Sequence, residues 1–241
     1  MIFQGNMGPM IKGFRGMSLV DFPGRLAAVV FFGGCNFRCP FCYNVDLVLP
    51  QRLSQLEDIP SERIIEELKA RENFISGVVI TGGEPTLPKN LLRVLLEEIR
   101  SETSLAIKLD TNGSQPGVIE SLLEENLLDY VALDFKTSPS RYPELKGHFQ
   151  PLEETLSVLR TSQIPFEIRI TAVPYFISQR ELEELIPYFD GACLVALQRF
   201  MNEYDRLAPE MELGLYGPEE LKELASFLKE KISPPVELRN V

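Results

Sequence analysis

Six short apolar, β-branched runs, each followed by a longer amphipathic stretch, constrain the fold more than any other feature of these 241 residues. The runs are 27–32 (AAVVFF), 78–81 (VVIT), 105–109 (LAIKL), 130–134 (YVALD), 166–171 (FEIRIT) and 193–197 (CLVAL). The helical stretches fall near 61–72, 88–101, 116–125, 152–161, 178–188 and 218–229. Ser61 and Ser178 stand where a helix start is capped, and Pro88 and Pro218 where a first turn tolerates a missing N–H. Strand–helix alternation implies parallel strands joined by right-handed crossovers. An unbroken series of six predicts the α/β class and a partial (β/α)6 TIM-like barrel of parallel strands. A flat doubly wound sheet has the same periodicity; the barrel is preferred because it gathers every loop after a strand onto one mouth. No long polar linker divides the chain, so residues 11–241 are expected to form a single domain. Residues 1–10 (MIFQGNMGPM) have no period and read as a loose N-terminal segment.

Composition sets the surroundings of that fold. With 44% hydrophobic and 24% charged residues, the chain has the balance and length to bury one sizeable core. Its longest unbroken apolar run, 26–32, is far short of the roughly 20 residues a bilayer span needs. A formal charge of −11, with Lys and Arg scattered, disfavours a long contact with phosphate backbone, so neither nucleic acid nor membrane is expected as a partner. Four cysteines, three of them crowded together, do not read as a disulfide framework, and a reducing cytoplasm is the expected location.

The unusual residues fall where a barrel of this kind does its chemistry, at the carboxyl ends of the strands. After the first strand comes GGCNFRCPFCYN, 33–44; after the second TGGEPT, 81–86; after the third DTNG, 110–113. The fourth run leads to Asp134 and Lys136, the fifth carries Arg169 and Thr171, and the sixth leads to Gln198 and Arg199. Exposure alone explains any one polar loop; six on one rim point to a site. Within it, Cys35, Cys39 and Cys42 stand close enough to share one group. Thiolates at short spacing hold iron–sulfur clusters, and a cubane with three protein ligands leaves one iron open. A structural zinc site needs a closed set of four. His148, the sole histidine, and Cys193 are the residues left to complete one, although Cys193, opening an apolar strand, reads as a small buried hydrophobe. Gly33 and Gly34 let the backbone fold closely around a cofactor, and Phe37, Phe41 and Tyr43 are placed to shield it.

The CxxxCxxC spacing with an aromatic before its last cysteine, here Cys35, Cys39, Phe41 and Cys42, resembles the signature of the radical S-adenosylmethionine superfamily, and TGGEP resembles its methionine-amine motif. More narrowly, SLVDFPGRLAAVVFFGGCNFRCPFCYN with DTNG and LDFK is similar to the activating enzymes of glycyl radical enzymes, especially the anaerobic ribonucleoside-triphosphate reductase activating proteins. One departure is Tyr43, where many of these activases have histidine. The resemblance covers nearly the whole chain beyond its first ten residues and implies one radical SAM domain with a 4Fe-4S cluster on Cys35, Cys39 and Cys42. It implies S-adenosyl-L-methionine as cosubstrate, an oxidoreductase cleaving it to a 5′-deoxyadenosyl radical, and an external electron donor such as flavodoxin or ferredoxin. It places Phe41 beside the cofactor, and Glu84 with the backbone of Gly82 and Gly83 at the amino group. Asp110, Asn112, Asp134 and Lys136 then serve ribose and carboxylate, and Arg169 the carboxylate, where a guanidinium fork suits two oxygens.

Leu91, Leu92, Leu95 and Leu96 form a helical stripe and read as core. The stretch 201–215 has no clear period and reads as a long loop, with a lid or docking surface as the alternative. With only about twelve residues beyond the final helix and no second cysteine-rich module, a large partner is expected to close the mouth itself. A radical SAM enzyme acting on a small molecule, such as a deazapurine-forming synthase, is the second reading, and a zinc-stabilised interaction module the third.

Overall fold

The computed structural model describes residues 10–203 and 205–240, and one eight-stranded sheet runs through them in the order β1 to β8. The strands are β1 (Ile11–Ser18), β2 (Ala27–Phe32), β3 (Gly77–Gly82), β4 (Ala106–Thr111), β5 (Tyr130–Phe135), β6 (Phe166–Ala172), β7 (Leu194–Arg199) and β8 (Val236–Arg239). β1 pairs antiparallel with β2, and every later pairing is parallel. Two short helices, α1 (Val45–Val48) and α2 (Pro50–Leu53), precede α3 (Ser61–Arg71). There follow α4 (Lys89–Glu102), α5 (Pro116–Glu124), α6 (Gln150–Thr161), α7 (Gln179–Leu185) and α8 (Pro218–Lys231). β2 to β7 are therefore the six expected βα units. Since the spatial order equals the chain order, the crossovers wind in one direction and stack their helices on one face. The other face is buried only if the sheet curls. It does: a single cavity is lined by Phe31, Thr81, Asp110, Asp134, Arg169 and Gln198, one from each of β2 to β7. The protein is a partial barrel.

The register separates two faces. Residues such as Val30, Ile80, Leu109, Leu133, Ile170 and Leu197 join the core under the helices. Leu92, Leu95, Leu96 and Ile99 of α4 supply part of that core, each burial stabilising by about 1.5–3 kcal/mol before the entropic cost. On the inner face, Ala27, Val29, Val79 and Tyr130 pack with Phe22 of the β1–β2 turn into a small apolar plug. Beyond the plug the inner face turns charged, with Lys108, Asp110, Glu167 and Arg169 among the small Ala132 and Ala196.

Two local expectations are corrected. Ser61 is the first residue of α3 rather than its cap, whereas Ser178 forms the full capping box with Glu181. β1 and β8 extend the sheet beyond the expected six strands. Of the segment 1–10, all but Met10 lies outside the described residues, and the Met10 carbonyl accepts a hydrogen bond from the Gly33 N–H at 2.8 Å. Among the described residues, no helix is long and apolar enough to cross a membrane.

Candidate active site

The loop after β2 is held from beneath by backbone. The Gly34 N–H donates to Leu47 O at 2.7 Å, Gly83 N–H to Phe32 O at 2.8 Å, and Glu84 N–H to Gly34 O at 2.7 Å. So close is this approach that a Cβ on Gly83 would lie 2.0 Å from Gly34 O, and one on Gly82, at φ +129°, 2.2 Å from Phe32 O. Glycine at both positions lets β3 seat against the cysteine loop. Arg38 fastens the loop from within, its Nη1 donating to the carbonyls of Cys35 and Phe37 at 2.7 Å each.

The cavity of about 370 Å³ brings together Cys35, Cys39, Phe41, Cys42, Gly82, Gly83, Asp110, Asn112, Asp134, Lys136 and Arg169. Eleven of the twelve residues expected to hold the cluster or the cosubstrate thus line one cavity. The twelfth, Glu84, does not line it. Its carboxylate is fully buried and accepts from the Thr86 N–H and hydroxyl, the Thr111 hydroxyl and the Asn112 N–H, so its oxygens are engaged by the protein. Asn112 is also held: its Nδ2 donates to Asn36 Oδ1 at 3.0 Å and approaches Cys35 Sγ at 3.9 Å, while its Oδ1 accepts from Ser114 N–H. Asp21, Phe31 and Asn44 line the same cavity and were missed as site residues. The signal for Asn44 was its place directly after the cysteine motif; its Nδ2 donates to Gly82 O at 2.8 Å.

Charge in the wall is organised around Arg169, whose Nη1 donates to Asp110 Oδ2 and Nε to Asp134 Oδ1, each at 2.8 Å. Lys136 Nζ sits 3.4 Å from Asp134 Oδ2. Burial works to raise the Asp134 carboxyl, but the Arg169 and Lys136 cations outweigh it and hold it at about 2. Burial pushes the Cys35 thiol up to about 11, with Glu84 adding to it, and the Cys39 thiol up to about 12. Cys42 is also raised, again chiefly by burial. Buried thiols of this kind ionise on meeting a metal, whose charge replaces their protons.

Three soft donors on one wall fit a cubane cluster with one open iron. The two residues considered for a fourth ligand lie elsewhere. Cys193 is exposed, not buried as expected, and stands just before β7 with its Sγ 3.4 Å from the Tyr130 hydroxyl. His148 is exposed beside Pro143 and Phe149. Arg199 points away from the cavity and donates to Tyr216 O at 3.2 Å, whereas Thr171 and Gln198 line the cavity as the strand ends suggested.

Residues 201–203 and 205–215 have no regular structure, and several of them pack on the cysteine loop and the helices after it. Tyr43 stacks on Phe200 with centroids 5.6 Å apart and its hydroxyl accepts from the Met201 N–H. Ala208 N–H donates to Pro40 O at 3.2 Å, and Arg52 pairs with Asp205 at 2.5 Å. Phe41 packs against Phe176 at 5.3 Å.

Comparison with known proteins gives three kinds of match. The radical SAM superfamily model matches residues 29–188. A protein of Methanocaldococcus jannaschii assigned by name as a glycyl-radical enzyme activating enzyme is 29% identical over 94% of this chain and 94% of its own length. The pyruvate formate-lyase-activating enzyme of Clostridium pasteurianum is 26% identical over 91% of this chain and 97% of its own length. The 7-carboxy-7-deazaguanine synthase of Hyperthermus butylicus is 35% identical, but over 53% of this chain and 51% of its own length.

Proposed function

The chain belongs to the radical SAM superfamily, and from that premise we propose that it is an activating enzyme that installs a glycyl radical on a partner enzyme, with an anaerobic ribonucleotide reductase the first candidate. It is a radical SAM enzyme, using a 4Fe-4S cluster and S-adenosylmethionine. The observation that carries the finer reading is extent: two matches to proteins named as activating enzymes run nearly end to end, whereas the deazaguanine synthases, like the remaining activating enzymes, match over about half of the chain or less.

In this reading Cys35, Cys39 and Cys42 would hold the cluster, and S-adenosylmethionine would bind beside it in the same cavity. The chemistry supplied by the bound pair is one-electron cleavage to methionine and a 5′-deoxyadenosyl radical that abstracts hydrogen from a backbone glycine. Asp110 and the half-buried backbone of Gly82 and Gly83 receive the amino group, Arg169 and Lys136 the carboxylate, and Asp134 and Asn112 the ribose. Glu84 acts behind them, fixing the β3 and β4 loops to each other. Phe41 and the 201–215 strap exclude water from the cluster loop. The electron arrives from a small donor protein such as flavodoxin or ferredoxin.

The test is coupling. With reductant and S-adenosylmethionine, the chain alone should form 5′-deoxyadenosine slowly, because nothing positions a hydrogen donor. Adding the right glycyl radical enzyme should accelerate the burst to about one equivalent per activated glycine. Stimulation by a purine-like small molecule and by no protein would transfer the assignment to a deazapurine-forming class.

A further inference from the structure

We propose that Lys108, at the centre of the barrel, is a positioning residue for S-adenosylmethionine, holding Asp110 and through it Arg169 in the orientation that faces the cavity. The inference rests on the reading of that cavity as the cosubstrate site. Lys108 has 1% of its side chain exposed, and its ammonium meets groups from three parts of the fold, two as hydrogen-bond acceptors and one as an ion pair. These are Asp21 O of the β1–β2 turn at 2.7 Å, Asp110 Oδ1 of β4 at 2.7 Å, and Glu167 Oε1 of β6 at 3.4 Å. Glu167, itself fully buried, takes the guanidinium fork of Arg239 from β8, with Nη2 at 2.7 Å and Nη1 at 3.4 Å. From Asp110 the chain continues through Arg169 and Asp134 to Lys136. Seven charges alternate in sign from the last strand to the cavity: Arg239, Glu167, Lys108, Asp110, Arg169, Asp134, Lys136.

Stability is a weak reason for such a chain. Barrel interiors are ordinarily filled by branched apolar side chains, and replacing a buried ion network by well-packed hydrophobes is often neutral or stabilising. Its layout gives a better one. The last four members line the cavity, whereas Lys108, Glu167 and Arg239 lie behind them and touch nothing in it. Asp110 divides its oxygens, one to Lys108 and one to Arg169. Without Lys108 both oxygens are released to the Arg169 fork, which favours bidentate pairing. The guanidinium then turns from Asp134 and from the position it holds toward the cavity. Lys108 prevents this collapse, and the Glu167–Arg239 pair keeps Lys108 from leaning the other way.

The experiment uses the full chain, anaerobically reconstituted, with S-adenosylmethionine affinity read by calorimetry and by the change in the cluster's electron paramagnetic resonance spectrum. Lys108→Met and the charge-balanced Lys108→Met/Glu167→Gln should each weaken binding about tenfold or more, the scale at which displaced supporting contacts act. Iron content and circular dichroism should stay at wild-type levels, and turnover at saturating S-adenosylmethionine should change far less than KM. Wild-type affinity in the folded double variant overturns the proposal. Arg169→Gln locates the fault: if it weakens binding, the reading of the site stands; if it too binds normally, that reading falls as well. Should neither Lys108 variant fold, Arg239→Gln decides, about threefold weaker binding supporting the positioning role and unchanged binding overturning it.

Discussion

Glu84 is a buried carboxylate with no cation among its hydrogen-bond partners; four donors take its place. Two belong to its own loop and two to the end of β4, so the acid of TGGEP joins two strand ends. Burial raises its pKa, and the four hydrogen bonds work against that rise. Glu84→Gln puts an amide N–H against donors, which costs about 1–3 kcal/mol per group left unsatisfied. A lower thermal midpoint is expected, with iron content kept and the spectral response to S-adenosylmethionine diminished. For the thiols, Cys35→Ala, Cys39→Ala or Cys42→Ala should each abolish cluster retention, while Cys193→Ala should leave iron and sulfide at wild-type levels. Equal loss in the Cys193 variant would contradict the ligand assignment. Acid stability is a third residue-scale expectation. The Asp134 carboxyl is held at about 2, below an unfolded value of about 3.9, so its contribution is present above the unfolded value and is lost as pH falls through the folded one. Asp134→Asn should therefore flatten the stability profile between those limits, as measured by denaturant melts at stepped pH.

At the scale of elements, the junction between β3 and the cysteine loop is the most demanding part of the fold. Gly83→Ala places a methyl against the Gly34 carbonyl, where neither backbone can yield without moving the adjoining Cys35 or a strand end. Loss of both cluster retention and S-adenosylmethionine binding is expected, and a variant that keeps both would show that the junction is looser than its distances. The same elements explain what could be read from the sequence. The six parallel strands are buried on both faces, so their apolar runs stand out, and the cavity residues follow them at fixed offsets. β1 escaped because Gly13, Gly16, Lys12 and Arg15 interrupt any apolar period in an edge strand whose stability comes from pairing with β2. β8 is four alternating residues after two prolines, too short to register. Lys108, Glu167 and Arg239 were overlooked for a related reason. Each is a single charge inside or beside a strand, and only the pairing register places them on one inner face. Glu84 was legible as a site residue but its direction was not, since a motif gives position along the chain and not which way a carboxylate turns.

For the whole molecule the central claim is that the barrel hands its radical to a protein. A glycyl radical retains one α-hydrogen, which splits its electron paramagnetic resonance signal into a doublet, so the product is visible on the partner itself. The deciding measurement is to incubate the reconstituted chain anaerobically with S-adenosylmethionine, a low-potential reductant and an anaerobic ribonucleotide reductase, then other glycyl radical enzymes, and record that spectrum. The account predicts a stable doublet on the right partner, absent when its radical-bearing glycine is replaced by alanine and absent with Cys39→Ala of this chain. No doublet on any such enzyme, with 5′-deoxyadenosine formed in step with consumption of a purine-like or pterin-like compound, would contradict it.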